Sequence, residues 1–107
     1  MTDVLVMIPA KGQSRELPGK NLQPVCGKAL VTWTIQQAVT ADIGPVVVVT
    51  DDKAIATLAD MYGAAVYEEP ADLAGDNISM ESIMSWVVDQ CRQRDGRVPD
   101  WLVVCQP

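Results

Sequence analysis

The residues best suited to chemistry lie at positions 9–21, directly after the first apolar run of the chain. This stretch reads PAKGQSRELPGKN and combines glycines with basic and hydroxyl side chains: Lys11, Gly12, Ser14, Arg15, Gly19 and Lys20. Glycines let the backbone turn tightly and bring its N–H groups close to a ligand, and basic side chains neutralise phosphate oxygens. The stretch therefore predicts a phosphate-binding loop, with a triphosphate as its natural ligand.

The spacing of the glycines excludes two common nucleotide fingerprints. Gly12 and Gly19 are seven residues apart and Asn21 follows Lys20, so the stretch matches neither G-x-x-x-x-G-K-[ST] nor G-x-G-x-x-G. Short motifs also match by chance. From composition alone, a solvated basic loop is an equally good interpretation.

The distribution of charge favours an anion near this stretch. The 107 residues carry a formal net charge of −6, which argues against a broad surface for nucleic acid or anionic membrane. Residues 1–28 hold four basic and two acidic side chains, which gives +2 there and −8 in the remainder. We therefore expect small anions as partners, and neither nucleic acid nor membrane.

The cysteines and the N-terminal residues indicate a cytoplasmic protein. Cys26, Cys91 and Cys105 are widely spaced, form no C-x-x-C pair and have no histidine to complete a metal site. Such cysteines are typical of reduced thiols in the cytoplasm. The first apolar run is too short for a signal peptide or a membrane span, and no basic leader precedes it.

Four apolar runs alternate with segments of helical period. Residues 4–8, 45–50, 64–67 and 101–105 read as buried strands, and helices are predicted after residue 28, after residue 52 and over 79–94. The order is β-α-β-α-β-α-β, and we find no hairpin signal between the strands. This order predicts an α/β domain with a parallel sheet and helices on its faces.

Several single residues allow two interpretations. Asp51 and Asp52 could form a metal-binding pair, but their position before a helix favours N-capping. The three tryptophans lie within apolar segments, which favours core packing over base stacking. Cys26 and Cys105 are expected to be small buried apolar residues and not nucleophiles.

The order of residues is more informative than the composition. IPAKGQSRELPGKNLQPVCGKALVTWTI resembles the opening of the CMP-N-acetylneuraminate synthetase family, cytidylyltransferases whose typical opening reads IPARGGSKRLPGKN. VVVVTDDKAIATLADMYGAAV, EEPADLAGDN and VVCQP are similar to later segments of that family, in the same order. The resemblance thus extends along the whole chain.

The resemblance implies a three-layer, Rossmann-like α/β fold of the nucleotide-diphospho-sugar transferase type. It implies that residues 1–107 form the N-terminal, nucleotide-binding part of a single cytidylyltransferase domain, truncated after the fourth strand and inactive alone. The implied reaction joins CTP to a nonulosonic, sialic-acid-like sugar and releases pyrophosphate. Mg²⁺ is the implied cofactor, with ligands outside this chain, and a homodimer is one expected assembly.

The same resemblance implies roles for individual residues. Lys20 and Arg15 would be catalytic, and Gln106 would face the acidic sugar. The nucleotide would be held by Ala10, Lys11, Gly12, Ser14, Arg15, Lys20 and Asn21. No metal ligand is assigned in this chain.

Four positions depart from the family pattern. Lys11 stands where arginine is usual, Gln13 replaces a glycine, Glu16 replaces a basic residue, and Glu69 replaces an arginine expected to help with substrate. These departures leave two alternatives open. One is a catalytically inactive nucleotide-binding module, and the other is a cytidylyltransferase for another sugar, such as 3-deoxy-manno-octulosonate.

Overall fold

A computed structural model describes residues 3–11, 20–73 and 78–107. Its elements, in chain order, are β1 (Val4–Pro9), β2 (Pro24–Val25), β3 (Lys28–Ala29), α1 (Leu30–Ala41), β4 (Val46–Thr50), α2 (Lys53–Met61), β5 (Ala65–Glu68), α3 (Met80–Asp95) and β6 (Trp101–Val104). There are also two 3-10 helices in the described residues. Lys20–Leu22 comes after β1, and Ala71–Leu73 comes after β5.

Four strands form a parallel sheet in the order β5-β4-β1-β6. β1 pairs with β4 on one side and with β6 on the other, with Val6 opposite Val46 and Leu5 opposite Leu102. Every residue of β4 is buried, as expected for a strand covered on both faces. The predicted parallel sheet is confirmed, and each strand agrees with its predicted range to within one residue at either end.

The helices cover both faces of the sheet and form the outer layers. Side chains alternate along a strand, so Ile8 packs with α1 and α2 on one face while its neighbour Met7 packs with α3 on the other. The first apolar cluster includes Ile35 and Ile55, and the second includes Val87. This arrangement confirms the three-layer α/β prediction.

Local signals in the sequence mark both ends of α2. The Asp52 carboxylate accepts hydrogen bonds from the amides of Ala54 and Ile55 at 2.8 and 3.1 Å, so it caps α2. Gly63 follows that helix with φ +90°, a conformation that few other residues adopt. The capping interpretation of the Asp51-Asp52 pair is therefore confirmed for Asp52.

The prediction that the chain contains no hairpin is wrong. β2 and β3 pair antiparallel, with Pro24 opposite Ala29. The turn between them places Cys26 at φ 50° and Gly27 at φ 86°, which is the double left-handed conformation of a tight two-residue turn. Cys26 is exposed at this turn, so its predicted burial is wrong as well.

The tryptophans differ in their environments. Trp86 packs against the second apolar cluster, which contains Val87 of α3. Its ring contacts that of Tyr67 edge to face, with ring centroids 6.3 Å apart. Trp33 is half-buried and donates a hydrogen bond to the Val25 carbonyl at 2.6 Å, which ties α1 to the hairpin. Trp101 is 65% exposed, so its predicted core position is wrong. It begins an edge strand and belongs to neither apolar cluster.

Among the helices that the structure describes, none combines the length and the apolar character needed to cross a membrane.

The Asp52 cap gives a direct test of the fold. We predict that Asp52→Ala lowers the free energy of unfolding by about 1 kcal/mol, because two amides at the start of α2 lose their acceptor. Asp60→Ala, an exposed substitution in the same helix, should change stability by less than about 0.5 kcal/mol. Urea unfolding of both variants measures the difference, and equal losses would refute the cap.

Candidate functional site

A cleft of about 240 Å³ opens at the carboxyl edge of the sheet. Parallel strands end at the same edge, so residues that follow different strands meet there, and open α/β sheets bind their ligands at this edge. We call it the strand-edge cleft. It is lined by Pro9, Lys11, Lys20, Asn21, Glu69, Ile78, Met80, Ile83, Gln106 and Pro107.

Asn21 links the residues that follow β1 to the first 3-10 helix, and both line the cleft. Its side-chain Nδ2 donates a hydrogen bond to the Lys11 carbonyl at 2.7 Å, and the residue is only 4% exposed. The bond holds the 3-10 helix that contains Lys20 against the end of β1. The two flanks of segment 12–19 are therefore fixed next to each other.

The Asn21 side chain also offers an unused acceptor. Its Oδ1 atom is buried and has no hydrogen-bond partner among the described residues. Leaving a buried polar atom unpaired costs about 1–3 kcal/mol, which fold stability alone does not justify. A ligand with an N–H or O–H donor would satisfy this atom.

Four of the predicted site residues converge on the cleft. Lys11, Lys20, Asn21 and Gln106 all line it, although they come from three separate parts of the chain. The two lysine ammonium groups give this edge the positive charge that an anionic ligand requires. Gln106 is exposed and follows β6.

Ala10 lies beneath the cleft and not in its lining. It is 1% exposed, packs in the apolar cluster below, and donates its amide to the Val49 carbonyl at 2.9 Å. That amide is therefore occupied by the sheet. Gly12, Ser14 and Arg15 fall outside the described residues, so their assigned roles stay predictions.

Glu69 is a residue of the cleft that the site prediction did not include. Its amide donates to the Thr50 carbonyl at 2.9 Å, which fixes it beyond the end of β5, and the residue is only 5% exposed. The Oε1 atom of its carboxyl group has no hydrogen-bond partner in the described part of the chain. The resemblance had marked this position as one expected to help with substrate, but the sequence did not reveal the burial of the glutamate.

Burial sets the protonation of this carboxyl group. Loss of solvation and, to a smaller extent, the charge of Asp51 raise the pKa of Glu69 from 4.5 to about 7, against a lowering effect of Lys11. At neutral pH the group is thus close to half protonated. The carboxylate consequently offsets only part of the positive charge that the lysines bring to the cleft.

The described residues do not assemble a metal site. No group of three histidine, cysteine, aspartate or glutamate side chains lies close enough together in residues 3–11, 20–73 and 78–107. The Asp52 carboxylate at this edge is used as a helix cap. The expectation that Mg²⁺ finds its ligands outside this chain stays a prediction.

A larger cavity of about 620 Å³ lies at the opposite, amino-terminal edge of the sheet. Its walls include Tyr67 and Cys91, whose hydroxyl and thiol groups are 3.7 Å apart and buried. Burial and the neighbouring thiol raise the pKa of Tyr67 to about 12, so this hydroxyl stays neutral. We place the functional site at the smaller cleft because parallel sheets bind ligands at their carboxyl edge.

A family model described as cytidylyltransferase matches residues 5–90. The chain is 41% identical over 61 residues to 3-deoxy-manno-octulosonate cytidylyltransferase of Vibrio vulnificus (strain YJ016), covering 57% of this chain and 24% of that relative. It is 37% identical over 84 residues to the protein of the same name from Methylorubrum populi, covering 78% of this chain and 34% of the relative. The chain thus spans about a quarter to a third of the length of these curated relatives.

A solved structure of CMP:2-keto-3-deoxy-manno-octonic acid synthetase complexed with CTP has a similar fold. The TM-score is 0.68 at 23% identity, over 98% of this chain and 40% of that one. At this identity the likeness concerns the fold alone. It confirms the predicted Rossmann-like architecture of nucleotide-sugar transferases.

The raised pKa of Glu69 predicts a pH dependence of stability. The folded protein keeps this proton between pH 4.5 and about 7, where the unfolded chain has released it. The contribution of Glu69 to the free energy of unfolding therefore falls by about 3 kcal/mol as pH rises through this range, and stays constant above it.

We therefore predict that Glu69→Gln gains stability relative to the unsubstituted protein as pH rises from 4.5 to 8, when urea unfolding is followed across that range. Glu68→Gln removes the same charge from an exposed neighbour and should show no such gain. If the Glu69→Gln and unsubstituted proteins have parallel pH profiles, the carboxyl group is not perturbed by burial.

Proposed function

The chain belongs to the cytidylyltransferase family, and from this premise we propose that it forms the CTP-binding part of an enzyme that transfers CMP to an acidic sugar. The reaction releases pyrophosphate. The observation that carries the proposal is the convergence of Lys11, Lys20 and Asn21 on the strand-edge cleft. Nucleotidyl transfer depends mainly on positive charge placed where negative charge develops, and two ammonium groups meet that need.

Each residue of the site has a proposed role. Lys20 and Arg15 stabilise the charge that develops on the phosphates during transfer, and Lys11 binds the same phosphates. Gly12 and Ser14 complete the loop with backbone and hydroxyl donors. The unused Oδ1 atom of Asn21 accepts a hydrogen bond from the nucleotide.

Two acidic sugars are candidates for the acceptor. The residue order over 8–21 resembles the family that activates nonulosonic, sialic-acid-like sugars. Relatives at 41% and 37% identity are named for 3-deoxy-manno-octulosonate, which favours the eight-carbon acid. Either sugar would meet Gln106 at the exposed side of the cleft.

The remaining expectations are kept as predictions. Mg²⁺ would accompany CTP, with ligands from the phosphates, water and groups outside this chain. A homodimer and a cytoplasmic location are predicted by resemblance and by the cysteine pattern. Since the chain spans about a quarter to a third of its relatives, we expect CTP binding without pyrophosphate release by the chain alone.

Binding of CTP is the first test of the proposal. We predict that CTP raises the midpoint of thermal unfolding more than UTP or GTP, because a ligand stabilises the folded state in proportion to its occupancy. Lys20→Ala should weaken CTP binding about tenfold in calorimetry, since one charge-assisted contact is lost.

Lys53→Ala is the matched control, because Lys53 is an exposed lysine that does not line the cleft. A larger shift with another nucleotide would make the cytidine assignment wrong. Equal weakening by Lys20→Ala and Lys53→Ala would place CTP elsewhere.

The choice of sugar can be tested with the CTP-saturated protein. We predict that 3-deoxy-manno-octulosonate raises the unfolding midpoint further and that N-acetylneuraminate does so less. Gln106→Ala should remove most of this second increase while leaving the CTP shift in place. The opposite order of the two sugars would favour the sialic-acid-like acceptor, and no increase with either would exclude Gln106 as a sugar contact.

A further inference from the structure

Glu69 is an acidic residue in a cleft whose lysines favour an anionic ligand. It lines the strand-edge cleft with Lys11 and Lys20, although an ionised glutamate would repel a phosphate or a sugar carboxylate. An ionised carboxylate can only accept hydrogen bonds, whereas an anionic oxygen of a ligand needs a donor.

The surroundings of Glu69 favour its neutral form. The side chain is nine-tenths buried, and its Oε1 atom has no hydrogen-bond partner among the described residues. Among the described residues, Asp51, which follows β4, and Lys11 act on its charge, and Lys20 lines the same cleft. Within residues 78–95, the side chains that line the cleft are the apolar ones of Ile78, Met80 and Ile83.

We propose that Glu69 is a ligand-binding residue that acts as a neutral carboxylic acid and donates its proton in a hydrogen bond to an anionic oxygen of the bound ligand. A protonated carboxyl group has one O–H donor, so it can form the hydrogen bond that an anionic oxygen requires. The inference rests on the proposed function, because it takes the cleft to be the site of an anionic substrate.

Proton uptake is the measurable consequence of this role. Before binding, Glu69 releases its proton as pH rises through about 7. A bound anion disfavours the carboxylate by like-charge repulsion, so the complex keeps the proton to higher pH. Binding above pH 7 must therefore draw a proton from solvent, and affinity must fall as pH rises.

The anionic oxygen could belong to either substrate of the proposed reaction. A phosphate oxygen of CTP and the carboxylate of the acidic sugar share the chemistry that a carboxylic acid donor would bind. Inorganic triphosphate, CTP and 3-deoxy-manno-octulosonate are therefore used as separate probes. The probe whose binding takes up the proton identifies the source of the oxygen.

The experiment is isothermal titration calorimetry at pH 8.0 in two buffers with different ionisation enthalpies. We expect the unsubstituted chain to take up about one proton per bound anion more than Glu69→Gln, which cannot titrate. Glu68→Gln, with the same charge change at an exposed position, should behave like the unsubstituted chain. Between pH 7.5 and 8.5 the affinity of the unsubstituted chain should fall about tenfold, whereas that of Glu69→Gln should stay constant.

A second measurement does not depend on any variant. In the unsubstituted protein labelled with ¹³C-glutamate, the carboxyl chemical shift of Glu69 reports its protonation directly. We expect its apparent pKa to rise by at least two pH units when the anion is bound. An unchanged or lowered apparent pKa in the complex would overturn the inference, even if Glu69→Gln does not fold.

The outcomes separate this inference from the proposed function. If CTP binds and no probe produces Glu69-dependent proton uptake, the role of Glu69 is wrong and the CTP-binding proposal stands. If none of the three probes binds to any form of the chain, both are wrong. Uptake with any one probe that disappears in Glu69→Gln and persists in Glu68→Gln supports the donor role.

Discussion

The parallel pairing of β1 with both β4 and β6 is the constraint on which the candidate site depends. Since the three strands run in the same direction, the residues that follow them emerge at one edge of the sheet. Lys11 after β1 and Gln106 after β6 thereby reach the same cleft from opposite ends of the chain. β5 continues the sheet beyond β4 and brings Glu69 to that edge as well.

The apolar packing that stabilises the sheet also determines the chemistry at its edge. Ile83 belongs to the core cluster under α3 and at the same time forms a wall of the cleft. In the same cleft Glu69 is buried, which raises its pKa, and Asn21 is buried with one oxygen that has no partner among the described residues. Natural proteins break the rule that buried polar atoms are paired mainly where a ligand completes the pairing.

Much of the fold could be predicted because its signals are local. The apolar run of β4 and the Asp52 cap of α2 each need only a few neighbouring residues to be recognised. The hairpin was missed because strands of two residues are too short to show an alternating pattern, although the glycine of its Cys26-Gly27 turn was visible. The exposure of Trp101 depends on the order of strands in the sheet, which local hydrophobicity does not encode.

Some residues of the candidate site could be predicted from the sequence, whereas the environment of Glu69 could not. Residue types and their order identified Lys11, Lys20, Asn21 and Gln106, which the structure brings together. The environment of Glu69 could not be predicted in this way, because the residues that share its cleft come from parts of the chain as distant as Lys11 and Gln106.

The residue type tells us the charge that a side chain carries in water. A buried carboxyl group instead carries the charge that its surroundings stabilise. For Glu69, burial and the charge of Asp51 raise the pKa, Lys11 lowers it, and the net result is a pKa of about 7. An acid in place of an arginine is therefore compatible with an anion site as long as the acid holds its proton. Whether the cleft admits an anion then depends on protonation and not on the residue type alone.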